Sequence, residues 1–182
     1  METPLWVTLV VGLGAGVLGS LLTTTLRIRH EREADFRSRM LEAADDFVSA
    51  AMSAVDRAAE HDLKYSLRKL DAEVRTATTA LSAEHRKEID ELWDSTSEAL
   101  REAIRRVPRI RLLFGVESEA AAHAKAACDQ LGQSMAFFVE IKPEGAEDAQ
   151  ELINDAEQRV DQFSAAARRD LTSGGWLGRG NT

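Results

Sequence analysis

Among the residues able to do chemistry, the run Gly14-Ala15-Gly16-Val17-Leu18-Gly19 comes first, because it fits the G-x-G-x-x-G pattern that cradles a dinucleotide pyrophosphate. It follows a strand-like Val7 to Val11 and has acidic residues roughly a dozen to twenty positions later. A nucleotide site also needs the motif to open a βαβ unit with further buried parallel strands. No such strands follow, and a charged helical pattern begins after Leu26. The histidines fare no better. Di-iron bundles use Glu-x-x-His pairs, and none of His30, His61, His85 or His123 has an acid three residues before it. Glu119 and His123 are four apart, the spacing of a helical surface pair. Cys128 lies five residues past His123, about 140° around a helix, so the two do not converge as nucleophile and base. Cys128 is most simply a small buried apolar residue. Asp45 and Asp46 are adjacent and point in different directions. No H-E-x-x-H, G-x-S-x-G or Walker loop is present. The sequence therefore predicts a protein that is not an enzyme and has no catalytic, metal or cofactor-binding residues.

One charged cluster is less ordinary. Arg101, Arg105, Arg106, Arg109 and Arg111 are interrupted only by Glu102 among charged residues and run into the apolar Leu112-Leu113-Phe114. Basic side chains at a helix C-terminus stabilise it against the macrodipole, and the apolar triplet would then plug the end of a bundle. Alternatively, Arg105, Arg106, Arg109 and Arg111 contact an anionic partner or lipid.

The elements that carry these residues follow from composition. The 182 residues include 23 basic and 31 acidic side chains, for a formal charge of −8, with aromatics at 5% and three prolines. An acidic chain rich in Ala, Leu, Glu and Arg is suited to long amphipathic helices. It is a poor nucleic-acid binder, because phosphate contacts need concentrated Lys and Arg. One cysteine cannot form an internal disulfide, so nothing argues for an oxidising compartment.

From Leu5 to Leu26 no residue is charged. These 22 residues, at about 1.5 Å each, make a helix of roughly 33 Å, enough for a hydrocarbon core of about 30 Å. A cleaved signal peptide would have a basic leader and a shorter apolar stretch, whereas here Glu2 precedes and apolar character continues through Leu21, Leu22 and Leu26. Arg27, Arg29 and Arg32 follow directly, which predicts a single-pass cell-membrane protein with a cytoplasmic C-terminal domain. Trp6 fits an interfacial anchor at the outer face. Gly12, Gly16, Ser20 and Thr24 recur every four residues and form a stripe of small side chains on which two anchors can cross closely. A homodimer and a monomer are both compatible with that stripe.

Beyond the anchor, Phe36, Met40, Ala44, Phe47, Ala51, Val55 and Ala58 share one helical face, with no Gly or Pro separating them from the span. Leu63, Leu67, Leu70, Val74, Ala77 and Leu81 form a heptad seam. A break is expected near Ser82, and the next set is Ile89, Leu92, Thr96, Ala99, Ala103 and Val107. Pro108 and Gly115 mark that helix's end, with residues 109–114 either a kinked extension or a connector. Ala120, Ala124, Ala127, Leu131, Met135 and Phe138 define another helix, Lys142 to Gly145 a turn, and Ala149, Ile153, Ala156, Val160, Phe163, Ala167 and Leu171 a last helix. The predicted fold is all-α: a transmembrane helix at 1–26, an antiparallel four- to five-helix bundle at 27–172 and a flexible tail at 173–182.

The basic exit after the span, the stretch Arg105-Arg106-Val107 to Ile110-Arg111-Leu112-Leu113-Phe114-Gly115, and the ending Phe163-Ser164-Ala165-Ala166-Ala167-Arg168-Arg169-Asp170-Leu171 resemble uncharacterised bacterial single-pass proteins with a cytoplasmic helical bundle. The resemblance implies no activity. Stripes and seams without a reactive constellation suit a membrane-tethered interaction or scaffold module, with the bilayer and an unidentified protein as partners. The alternative is a membrane-linked sensor that binds a ligand in a cavity beside the small side chains of the Ala120 helix.

Overall fold

The computed structural model describes the backbone of residues 5–74, 83–138 and 148–172 and the side chains of residues 23–67, 87–137 and 148–172. Among these, the chain forms four helices and no strand: α1 (Leu5–Val74), α2 (Ala83–Phe114), α3 (Glu119–Phe138) and α4 (Ala149–Thr172). Gly14 to Gly19 lie inside α1, so the glycine-rich run has no strand-to-helix turn to offer a pyrophosphate. The Lys142 to Gly145 turn, the break at Ser82 and the 173–182 tail fall outside the described residues.

The chain divides into two compact units, residues 1–39 and 40–182. In the first, every residue from Thr23 to Arg32 is exposed, including Leu26 and Ile28. Arg27 Nε donates to Glu31 at 2.9 Å, a pairing of successive turns. Among the described residues no helix is long and apolar enough to cross a membrane. The expected span falls almost wholly on residues whose side chains lie outside that set; the backbone there is helical, and nothing among the described residues supports its crossing a membrane.

The second unit is a bundle whose neighbours run antiparallel. On α1 and α2, Arg109 meets Glu42 and Asp46, Thr96 meets Arg57, and Lys64 meets Glu88, a descending register against an ascending one. Phe47 of α1 touches Phe163 of α4, and Glu119 at the start of α3 pairs with Arg169 near the end of α4. Most of the predicted stripes of α1, α3 and α4 are core: Met40, Ala44, Phe47, Ala51, Val55 and Ala58 on α1; Ala120, Ala124, Ala127, Leu131 and Met135 on α3; Ala149, Ile153, Ala156, Val160, Phe163 and Ala167 on α4, with Phe36 and Leu171 half-buried. The α2 stripe fits less well: Thr96 and Ala103 are buried but Ile89, Leu92, Ala99 and Val107 are half-buried, and Leu100, Ile110 and Phe114 are buried instead. So many alanines let helices approach closely, and the larger Phe47, Phe114 and Phe163 fill the space among α1, α2 and α4.

One open alternative is decided and two expectations need correction. Of the two readings of residues 109–114, the extension holds: α2 continues through Pro108 to Phe114, and Ile110 and Phe114 are buried, which anchors the last turns by packing despite the missing amide donor. The end comes at Gly115, whose φ of +100° suits glycine best and whose N–H bonds the Arg111 carbonyl at 3.1 Å. Ser118 then caps α3, its Oγ accepting from the Ala121 N–H at 3.1 Å.

The apolar triplet is not a plug. Phe114 turns inward, but Leu112 is 82% exposed. Nor does the start of the heptad seam pack inside the bundle. Leu63 and Leu67 are each 60% exposed, while Ala54, Ala58 and His61 form the buried face of α1 at that level. The rest of the seam, from Leu70 to Leu81, lies outside the described side chains.

Candidate functional site

The arginine cluster occupies the C-terminal half of α2, and the fold divides it. Arg109 projects toward α1, where Nη2 donates to Glu42 Oε2 at 2.8 Å and Nη1 to Asp46 Oδ2 at 3.0 Å. This bidentate reach ties two antiparallel helices together. Both carboxylates are at least 41% exposed, so each contact contributes at most about 1 kcal/mol. Arg106 is half-buried and pairs with Glu102 at 2.6 Å, and its Nε is buried without a hydrogen bond. These two side chains serve the bundle first.

Arg105 and Arg111 remain outward. Arg105 is 71% exposed and makes only a long 3.3 Å contact to the same Glu102. Arg111 is exposed with no ion pair among the described residues, and so is Arg101 nearly three turns earlier. On an α-helix at 100° per residue, Arg101, Ile104, Arg105, Pro108, Arg111 and Leu112 fall within an arc of about 120°. Ile104 is 47% and Leu112 82% exposed, and Pro108 is exposed between them. Sequence reasoning grouped the arginines by proximity and missed the apolar ridge between them. The i, i+4, i+8 spacing of Ile104, Pro108 and Leu112 was the available signal.

Between α1 and α2 a half-open groove of about 240 Å³ is lined by Ala50, Ser53, Ser95 and Ala99 together with Arg57, Glu98, Glu102 and Arg105. It is smaller than the roughly 300 Å³ at which ligand pockets begin, and its charges balance. Ala120, Ala124 and Ala127, beside which a ligand cavity was conceivable, are buried in the bundle core, where α3 packs on α4.

The remaining candidates are dispersed. Glu119 pairs with Arg169 at 2.6 Å instead of with His123. Cys128 is buried, and desolvation followed by the neighbouring charge of Asp129 pushes its thiol up to about 12, so it stays protonated and inert at neutral pH. His61 is buried against Trp93, ring centroids 6.3 Å apart. Next to it, partial burial and the nearby Asp148 charge hold the Asp62 carboxyl above the usual Asp range. Asp148 itself caps α4, accepting from the Glu151 N–H at 2.7 Å. No group of three or more His, Cys, Asp or Glu suited to a metal ion occurs among the described residues. Gly12, Gly16 and Ser20 belong to α1, but their side-chain surroundings lie outside the described residues, and Thr24 is exposed.

No protein-family model, curated protein or solved structure matches the chain. Function must therefore be argued from the surfaces alone.

Proposed function

We propose that this protein is a membrane-tethered helical interaction module without catalytic activity, whose bundle is held at the cytoplasmic face of the cell membrane by a single transmembrane helix. The observation that carries the reading is α1 itself. Its helical backbone starts at Leu5, its sequence is uncharged to Leu26, and from Thr23 to Arg32 its whole circumference is exposed, Leu26 and Ile28 included. An uncharged helix of that length would be unstable in water without a partner to cover it, whereas a bilayer both covers the side chains and favours intrahelical hydrogen bonds. Exposed Arg27, Arg29 and Arg32 then sit at the exit, the placement typical of a cytoplasmic boundary.

A ligand-sensing bundle is the less supported alternative, since the groove between α1 and α2 is small, open and charge-balanced. Alkaline carbonate extraction of native membranes tests the tether: the full chain should stay in the pellet, and removal of residues 1–26 should release it. A C-terminal reporter active only in the cytoplasm should be active. Release of the full chain by carbonate, or an inactive reporter, would refute the reading. Co-purification from detergent-solubilised membranes should then yield a stable protein partner, and a retained small molecule would instead favour the sensor.

A further inference from the structure

We infer that the exposed face of α2 built from Ile104, Pro108 and Leu112, flanked by Arg101, Arg105 and Arg111, docks onto an anionic lipid surface. The inference adds to the tether proposed above but stands on α2 alone. Three apolar side chains at i, i+4 and i+8 make a single convex ridge, and its exposure rises toward the helix end, where Leu112 is 82% and Val116, just past the turn at Gly115, 62% exposed. A folded domain gains nothing from presenting these residues to water. Each would lose apolar area to solvent on entering the boundary between headgroups and acyl chains.

The charges select the kind of surface. Arg105 lies on one side of the ridge, Arg111 on the other and Arg101 at its N-terminal end, so their guanidinium groups reach headgroup phosphates while the ridge points into the bilayer. Between Arg101 and Leu112 no acidic residue falls within that arc; exposed Asp94, two turns before Arg101, lies in line with it, and exposed Glu98 lies about 20° outside it. Glu102 is turned away and already engages Arg105 and Arg106, Glu42 and Asp46 are engaged by Arg109, and Glu117 stands exposed beyond the helix end. A protein partner would need a groove to receive a ridge of this shape. A planar anionic interface receives it directly and answers the arginines on both flanks at once.

The test uses the full chain with Cys128→Ala, reconstituted into vesicles of phosphatidylcholine alone or with phosphatidylglycerol. Leu112→Cys carries an environment-sensitive fluorophore, and Asp155→Cys, exposed on α4, serves as the control position. Emission at position 112 should shift to the blue in anionic vesicles and not in neutral ones, the control should not move, and salt should reverse the shift. Replacing Arg101, Arg105 and Arg111 with Gln should lower the docked-to-free ratio by on the order of a hundredfold, taking each arginine near the surface as a factor of about five. Equal spectra in the two vesicle types would overturn the proposal. So would an equal shift at position 155, or a shift in neutral vesicles that grows with protein density, which would mean that a second copy covers the ridge. Carbonate extraction of the same vesicles reads the tether separately, so failure of the anchor and failure of the docking face are distinguishable.

Discussion

The Phe47 ring meets the Phe163 ring edge-on, centroids 4.7 Å apart at 65°, and Phe114 approaches Phe163 from α2 at 6.2 Å. Among the described residues Phe163 is thus the one side chain that α1 and α2 both touch with aromatic rings, and it is fully buried in a core otherwise dominated by alanine.

Phe163→Ala should therefore cost about 3–5 kcal/mol, because the rigid helix pairs around it cannot collapse into the void. Urea unfolding of residues 40–172, followed by helical circular dichroism, would measure it. A loss below about 1 kcal/mol would show that the three rings are not the centre of the core. Since total stability for a domain of this size is about 5–15 kcal/mol, the variant should unfold at a markedly lower urea concentration.

How far the fold was legible can be seen on individual residues. Periodicity located Phe47, Leu131, Val160 and Phe163 because a helix must hide a stripe of that width, and every neighbour in the bundle hides one too. The same logic misplaced Leu63 and Leu67. Heptad spacing says that a face is apolar but not whether another helix arrives to cover it, and here the side of α1 bearing Ala58 and His61 packs instead. Pro108 left residues 109–114 undecided for a related reason: the local rule about the missing donor cannot weigh the burial of Ile110 and Phe114 that carries the helix through. The arginines were visible as a cluster, yet their division depended on Glu42 and Asp46, more than sixty residues away, which no local pattern reveals.

Leu63→Glu and Leu67→Glu should each leave the stability of the isolated bundle within about 0.5 kcal/mol of wild type, because both positions are solvent-facing. Ala58→Glu, at a position with no exposure, should prevent folding or cost several kcal/mol through a buried unpaired charge. Thermal melts of the three variants would decide it, and a large loss at Leu63 would restore the seam to the core.

Asp62 should report on pH. Its carboxyl is raised by burial first and by Asp148 second, so the folded chain holds that proton to higher pH than the unfolded chain does. The unfolded state then binds fewer protons across the window, and this residue's contribution to stability falls as pH climbs above the usual Asp value. Asp62→Asn should raise the melting temperature at pH 7 and lose that advantage below about pH 4, where the carboxyl is protonated in both states. A variant less stable than wild type at pH 7 would show that Asp62 makes a favourable charged contact.

Cys128 offers a chemical check on the packing of α3. With the thiol buried and held near 12, a maleimide should modify it only through opening of the bundle. The rate in native conditions should rise little between pH 7 and 8 beyond the change expected for the reagent, and it should increase by orders of magnitude in 6 M urea, tracking the unfolded population. Rapid modification of the native protein would mean that the α3 face bearing Cys128 is open.

Self-association of the anchor is the remaining prediction, and it turns on helix geometry. Gly12, Gly16, Ser20 and Thr24 advance by four residues, about 40° per step, so they trace a slow small-residue stripe along α1, on which a second anchor can pack at short range. Gly19 lies about 60° behind Gly16, and it belongs to a different row. In a membrane two-hybrid assay Gly16→Ile should weaken the dimer more than Gly19→Ile, because only the first places a branched side chain where two backbones approach. Close contact between helices in lipid comes from packing rather than from apolar burial, so a single bulky residue at the crossing point should matter far more than the same residue facing acyl chains. Equal effects of the two substitutions, or no detectable dimer of the wild-type anchor, would leave these glycines as ordinary residues of a membrane helix and the protein as a tethered monomer.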